Sequence, residues 1–70
     1  SRLLKQELNQ TFVGMLTEIR MMNALRMLWE GKYMVKEIAL QSGYNNITYF
    51  YKVFKKYTGM SVGEIREYVE

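Results

Sequence analysis

The sequence predicts an all-α fold, and three observations support that prediction. None of the 70 residues is proline, the five glycines fall mostly between candidate helices, and apolar residues recur every three or four positions. With 49% hydrophobic and 14% aromatic residues, the chain is too apolar for a disordered segment. We therefore predict five helical stretches in one small domain.

The N-terminal half is predicted to form two helices. The first covers about residues 1–8 and ends at Asn9, because Asn tolerates the left-handed conformation found at helix ends. Thr11 caps a second, long helix, which Gly31 ends. The apolar positions assigned to one face of this helix are Phe12, Leu16, Ile19, Ala24, Met27 and Leu28. The apolar residues outside that stripe, which predict packing on two sides, are Met15, Met22 and Leu25.

The third and fourth predicted helices are short and lie close together in the sequence. The third spans about residues 35–42, and the chain then turns at Gly43 and Tyr44. Asn45 is the predicted N-cap of the fourth helix, which covers about residues 46–57. The inward positions of the third helix are Val35, Ile38 and Ala39. The apolar face of the fourth consists of Tyr49, Phe50, Val53, Phe54 and Tyr57.

A fifth helix is predicted at the C-terminus. Gly59 ends the helix before it, and Ser61 and Glu64 have the spacing of a capping box, in which the side chain of each residue bonds the backbone amide of the other. The helix then runs to about Val69. This element completes the predicted fold.

Two short helices joined by a tight glycine turn, the second one capped and basic, form a candidate helix-turn-helix. The small side chain of Ala39 allows a close crossing, and Gly43 supplies a turn conformation that a Cβ atom would penalise. The basic residues of the second helix are Lys52, Lys55 and Lys56. The same pattern also occurs in helical hairpins that bind nothing and whose lysines are merely solvated.

Several classes of function are disfavoured by composition. The chain has no Cys or His, so a disulfide and a thiolate or imidazole metal site are excluded, and no metal or cofactor is expected. It also lacks Asp, so the common catalytic bases, nucleophiles and acid pairs are missing and no enzyme is expected. No membrane span or signal pattern occurs, which predicts a cytoplasmic protein. The net charge of +3 permits nucleic-acid binding.

One series of residues resembles a known family. Glu37-Ile38-Ala39, Gly43-Tyr44, Tyr49-Phe50, Lys52, Phe54-Lys55-Lys56, Gly59 and Met60-Ser61 are similar, at the same spacing, to the C-terminal helix-turn-helix of the AraC/XylS family of bacterial transcription regulators. Upstream, Arg20, Ala24, Met27 and Leu28 resemble the helix that links the two helix-turn-helix units of that family. The first five residues resemble part of the first unit's recognition helix. The departures are Asn9, Lys52, Val62 and Ile65, where the family usually has Gly, Arg, Pro and Tyr.

The resemblance implies a homeodomain-like helix-turn-helix arrangement and a domain organisation. Residues 1–10 correspond to a remnant of the first helix-turn-helix, 11–31 to the linker helix and 32–70 to the complete second unit. It implies sequence-specific binding of double-stranded DNA in transcription control, as an activator, with the fourth helix in the major groove. The residues expected at base edges are Asn46, Ile47, Thr48, Tyr49, Lys52, Arg2 and Ser1. Those expected at phosphates are Lys36, Lys55, Lys56 and Asn45.

Other interpretations of single residues stay open at this point. Ile47 can instead contact a neighbouring loop, and Tyr49 fits the core slightly better than the DNA. Lys5 is a weaker phosphate candidate and is more simply a solvated residue, as each of the other lysines can be. Arg20 is expected to pair with a Glu. The residues expected to serve only packing are Trp29 and Leu40.

An alternative function is a helical protein-interaction module. The six methionines supply an adaptable apolar surface for RNA polymerase or for a second copy of the chain. Leu3, Leu4 and Leu8 are expected to be exposed and to favour self-association. The basic, Asn-capped fourth helix favours DNA binding, because a module that binds only protein does not require it.

Overall fold

The computed structural model describes residues 1–69, and these form four helices. The helices are α1 (Arg2–Glu30), α2 (Val35–Gln41), α3 (Ile47–Thr58) and α4 (Val62–Val69). No strand occurs in this part of the chain. The predicted all-α class is confirmed, but the prediction of five helices is wrong.

The two predicted N-terminal helices are one continuous helix, α1. Its N-cap is Ser1, whose hydroxyl accepts a hydrogen bond from the Leu4 amide at 3.2 Å. Asn9 does not end the helix, and Thr11 does not cap a new one; no non-glycine residue among 1–69 has a positive φ. Extending a helix through Asn or Thr costs less than about 1 kcal/mol per residue, whereas a break requires a second costly nucleus. No interruption therefore separates residues 1–10 from 11–31, and Gly31, with φ 74°, ends α1 as predicted.

The core lies at the C-terminal end of α1, where the three short helices pack against it. The buried residues are Met21, Ala24, Met27, Leu28, Ile38, Ala39, Tyr44, Phe50, Phe54 and Val62. Burial of Ala24, Met27 and Leu28 confirms part of the predicted stripe. Phe12 and Ile19 were assigned to the same face, and this is wrong, because they are 64% and 59% exposed. A helix of this length is roughly 43 Å long, so its N-terminal half projects beyond the body of the domain.

The connection between α2 and α3 corrects one predicted cap. Asn46, not Asn45, is the N-cap: its side-chain oxygen accepts a hydrogen bond from the Tyr49 amide at 3.0 Å. Helix α3 accordingly begins at Ile47, one residue later than predicted. In α2, Ile38 and Ala39 are buried as predicted. The helix ends at Gln41, with Ser42 as its C-cap.

Two residues expected to serve packing do not. Trp29 is 74% exposed and Leu40 is 55% exposed. Each directly follows a buried residue, Leu28 or Ala39, and one step along a helix turns the side chain by about 100°, away from the buried face. Their apolar surface is free within the described part of the chain.

Helix α4 closes the fold through its cap and one long-range hydrogen bond. The Ser61 amide donates to the Glu64 carboxylate at 2.9 Å, and the Glu64 amide donates to the Ser61 hydroxyl at 3.1 Å, which confirms the predicted capping box. Arg66 donates to the backbone carbonyl of Tyr33 and so attaches α4 to the loop between α1 and α2. Within residues 1–69, no helix combines the length and the apolar character needed to cross a membrane.

Candidate nucleic-acid interface

A tight turn sets α3 against α2. Gly43 has a φ of 98°, a conformation that L side chains rarely adopt, and the Tyr44 amide donates to the Ala39 carbonyl at 2.9 Å. Tyr44 itself is only 6% exposed and packs against the core. Because Tyr44 is anchored in the core, the turn holds the N-terminus of α3 in a fixed direction, pointing outward.

Helix α3 has a buried face and a polar face on opposite sides. Phe50 and Phe54 are fully buried, one helical turn apart. At 3.6 residues per turn, Thr48, Lys52 and Lys55 lie on the opposite side of the helix, and all three are exposed. Burial of Phe50 and Phe54 confirms that part of the predicted apolar face, whereas Tyr57, assigned to the same face, is 45% exposed, so that assignment is wrong.

The first turn of α3 presents more of the predicted base-contacting residues. Ile47 is 38% exposed and borders a shallow cavity with Leu40 and Tyr44. Tyr49 is 56% exposed, so its assignment to the core is wrong, although its ring lies 6.0 Å from that of Tyr44. The Asn46 side-chain oxygen is occupied by its capping bond, which leaves the amide NH₂ as the group free to donate outward.

An open cavity of about 590 Å³ separates α3 from the projecting part of α1. Lys52 and Lys56 contribute positive charge to its wall, and Gly14 and Thr17 line the side formed by α1. The remaining lining residues are Tyr49, Val53 and Tyr57. Three of the predicted DNA-contacting side chains, Tyr49, Lys52 and Lys56, thus border the same groove.

Ser1 and Arg2 lie far from this surface. Both are exposed at the start of α1, and Arg2 is roughly 18 Å along the helix axis from Gly14, at 1.5 Å per residue. The fold does not bring them together with the first turn of α3. Ser1 has a local role that was not predicted, since it caps α1. Lys5 is also exposed on this segment.

The predicted phosphate-contacting lysines are exposed on two helices. Lys36 lies on α2, while Lys55 and Lys56 are in the last turn of α3, where positive charge is favourable to the helix dipole. Hydrogen bonds from Ser61 lower the pKa of the Glu64 carboxyl, desolvation opposes that effect, and the nearby charge of Lys55 adds the smallest contribution, a further lowering. Lys55 is therefore close to a carboxylate, whereas Asn45 is simply exposed in the turn.

Arg20 occupies a position that sequence reasoning missed. Its guanidinium lies over the Tyr44 ring, 5.2 Å from the ring centroid. The expected ion pair with a Glu is wrong; within residues 1–69 the salt bridge is Arg26 to Glu30, at 2.6 Å. Arg20 and Tyr44 both belong to the motifs that carried the family resemblance, but their separation in sequence hides the contact.

The described residues contain no cluster of three or more acidic, His or Cys side chains that could hold a metal ion. The polar surface consists instead of Asn, Thr, Tyr and Lys side chains around one end of a helix. Such groups can donate and accept hydrogen bonds at base edges and neutralise phosphates. This arrangement defines the class of protein: a helix-turn-helix nucleic-acid-binding domain.

Comparison with known proteins identifies the family. A family model described as a helix-turn-helix domain matches residues 1–68. The chain belongs to this family, in its AraC type, as the resemblance implied. The matched family is one of DNA-binding transcription regulators, and this chain corresponds to its helix-turn-helix domain.

Two kinds of relative support this assignment. The HTH-type transcriptional regulator GadX of Escherichia coli (strain K12) is 35% identical over 68 residues, which are 93% of this chain and 25% of that protein; GadX of Shigella flexneri matches equally well. The chain therefore spans about a quarter of these curated relatives. A crystal structure of a DNA-binding transcriptional dual regulator from Escherichia coli K-12 is 34% identical with a TM-score of 0.80, over 97% of this chain and 64% of that one.

Proposed function

We propose that α3 enters the major groove of double-stranded DNA and reads a specific sequence, as part of a transcription regulator of the bacterial cytoplasm. The observation that carries this proposal is the division of α3 into a buried face and an exposed polar face. Burial of Phe50 and Phe54 fixes the rotation of the helix, so the side chains of Thr48 and Lys52 are presented outward from a rigid body. A rigid helix surface limits the entropy lost on binding.

Base recognition belongs, in this proposal, to the first two turns of α3. Thr48, Tyr49 and Lys52 supply polar groups for base edges, and Ile47 offers an apolar contact such as one to a thymine methyl group. Asn46 contributes its free NH₂ group, because its oxygen already caps the helix. A Lys contact to guanine lacks the planar two-pronged geometry of Arg, so selectivity at that base is expected to be modest.

Phosphate contacts belong to the residues at the margins of this surface. Lys36 and Asn45 flank the N-terminus of α3, while Lys55 and Lys56 lie at its C-terminal end. Such contacts add affinity that does not depend on sequence and weakens with salt. Lys55 is expected to contribute less than Lys56, because Glu64 is near it.

A second DNA contact is proposed for Ser1 and Arg2 at the other end of α1. Their distance from the α3 surface means that they would reach a different part of the duplex. Contact with RNA polymerase and function as an activator are part of the same proposal. The exposed methionines of α1, Met15 and Met22, are the adaptable apolar groups that would suit a protein partner.

The decisive experiment combines selection with substitution. Duplex DNA selected by the chain from a randomised pool is compared with random duplex over a salt series, for the wild type and for Lys52→Ala. We expect Lys52→Ala to weaken binding to the selected duplex by about tenfold or more and to affect random duplex less. Lys32→Ala is the matched control, because Lys32 stacks on Tyr33 in the α1–α2 loop, away from the proposed surface.

The phosphate assignments have a different expected result. Lys56→Ala should weaken binding to selected and random duplex alike and reduce the salt dependence by about one counterion. Unchanged affinity of Lys52→Ala for the selected duplex at every salt concentration would contradict the role given to that side chain. Failure of the wild type to enrich any sequence would contradict the proposed function itself.

A further inference from the structure

Arg20 connects the long helix α1 to the turn of the helix-turn-helix. Its guanidinium carbon lies 5.2 Å from the centroid of the Tyr44 ring. The same side chain packs against Gly43: a Cβ atom placed there would lie 2.9 Å from Arg20 Nε and 3.4 Å from its Cζ. Arg20 therefore contacts both residues of the turn that sets the direction of α3.

The contact continues from the turn into α3. The Tyr44 ring lies 6.0 Å from that of Tyr49 and 5.6 Å from that of Phe50, both in tilted arrangements. Tyr49 is in the first turn of α3, and its amide is held by the Asn46 cap. A continuous set of contacts thus runs from α1 through Tyr44 to the part of α3 that presents Tyr49 outward.

The guanidinium suits this position better than an apolar side chain would. A planar cation stacks on an aromatic face and stays hydrated at its edge, and Arg20 is only partly buried. Within residues 1–69, the salt bridge of the chain is that between Arg26 and Glu30, so Arg20 is held by the ring and the turn rather than by a carboxylate.

We propose that Arg20 is a positioning residue for DNA recognition: its stacking on Tyr44 and packing on Gly43 hold the first turn of α3 in the orientation that reads bases. This inference rests on the proposed function for its DNA consequence, but its structural part can be tested without DNA. The residue acts through Tyr44 and the turn and does not itself touch a base.

The first test measures amide hydrogen exchange in the free 70-residue chain. Arg20→Gln removes the charge and the stacked plane while keeping a good helix former. The Tyr49 and Phe50 amides, which bond to the Asn46 side chain and carbonyl, should exchange about three- to tenfold faster. The Ile65 amide of α4 should not change. Arg26→Gln is the control, because it removes the same charge from α1 without touching the turn.

The second test measures binding to the selected duplex and to random duplex at constant salt. Arg20→Gln should reduce the preference for the selected duplex by about three- to tenfold, with an unchanged salt dependence. Arg20→Lys should recover part of the preference, since it restores a cation over the ring. Tyr44→Leu should reduce the preference at least as much as Arg20→Gln, because it also removes the ring contacts with Tyr49 and Phe50. The double variant should be little worse than Tyr44→Leu alone, because the Arg20 contact is already lost in that variant.

The outcomes separate this inference from its alternatives. Equal acceleration of exchange at Tyr49, Phe50 and Ile65 would mean a general stabilising role and would overturn the proposal, as would no acceleration. A loss of affinity for both duplexes with a shallower salt dependence would make Arg20 a phosphate contact and would also overturn it. If the wild type selects no sequence but Tyr49 and Phe50 exchange faster in Arg20→Gln, the proposed function fails and the positioning of α3 by Arg20 stands.

Discussion

Gly43 is constrained in two independent ways. Its φ of 98° lies in the region where a Cβ atom meets the backbone, and its open side is filled by the Arg20 side chain. The first constraint is local to the turn, while the second comes from another helix. A substitution at this residue therefore disturbs both the turn and the placement of Arg20.

We expect Gly43→Ala to lower the free energy of unfolding by about 1–3 kcal/mol, the cost of holding a non-glycine residue in a strained backbone region. Urea denaturation measures this loss. Gly14→Ala is the matched control: nothing lies within 4 Å of a Cβ at that helical position, so alanine should instead stabilise the chain by about 0.5–1 kcal/mol. Equal effects at the two glycines would contradict the assigned strain.

At the scale of the element, the start of α3 depends on one side chain. Asn46 accepts the Tyr49 amide, whereas the neighbouring Asn45 has no capping role. Asn46→Ala should cost about 1 kcal/mol of stability, and Asn45→Ala less than about 0.5 kcal/mol. Urea midpoints of the two variants provide the measurement. A larger loss of stability for Asn45→Ala than for Asn46→Ala would contradict Asn46 as the N-cap and would support Asn45, the residue predicted from the sequence.

The start of α4 makes stability depend on pH. Hydrogen bonds from Ser61, helped by the charge of Lys55, lower the pKa of Glu64 in the folded chain. A lowered folded pKa means that this contribution is complete above the pKa of the unfolded chain and disappears as pH falls through the folded value. Wild-type stability should therefore approach that of Glu64→Gln on acidification. A difference between the two proteins that stays constant from neutral to acidic pH would contradict this.

At the scale of the whole molecule, α1 has two apolar faces, and only one is covered within residues 1–69. The exposed face carries an apolar stripe in which successive residues are three or four positions apart and each side chain is more than half exposed. The stripe consists of Leu4, Leu8, Phe12, Met15, Ile19 and Met22. This stripe explains why the sequence suggested packing on two sides. An exposed apolar stripe of this kind favours association in general, and self-association of the chain is the prediction that follows from it.

We expect the mass of the isolated chain in sedimentation experiments to rise with concentration. Leu8→Glu, in the middle of the stripe, should abolish that rise. Leu3→Glu is the control, because Leu3 is 72% exposed but lies off the stripe. A concentration-independent monomer mass for the wild type, or equal effects of the two substitutions, would show that the stripe does not mediate association.

The sequence by itself determined the helical class, the turn and most of the helix ends. The sequence predicted the helix ends at Gly31 and Gly59 and the capping box of Ser61 and Glu64, because these effects are local. A left-handed residue or a capping side chain acts within one turn of the helix. The burial of Phe50 and Phe54 was also predictable from a local property, because their spacing of four residues places both side chains on one face of the helix. The motif spacing also identified the family.

Only the tertiary structure decided which apolar face of α1 is buried and which residue Arg20 contacts. Phe12 and Ile19 look as hydrophobic as Met27, but they lie on the face of α1 that no other described helix covers, and no local pattern encodes which face that is. Arg20 meets Tyr44 because the fold packs the turn between α2 and α3 against α1, although the two residues are far apart in sequence. Local interactions set the helices, whereas burial and long-range contacts depend on how the helices pack together.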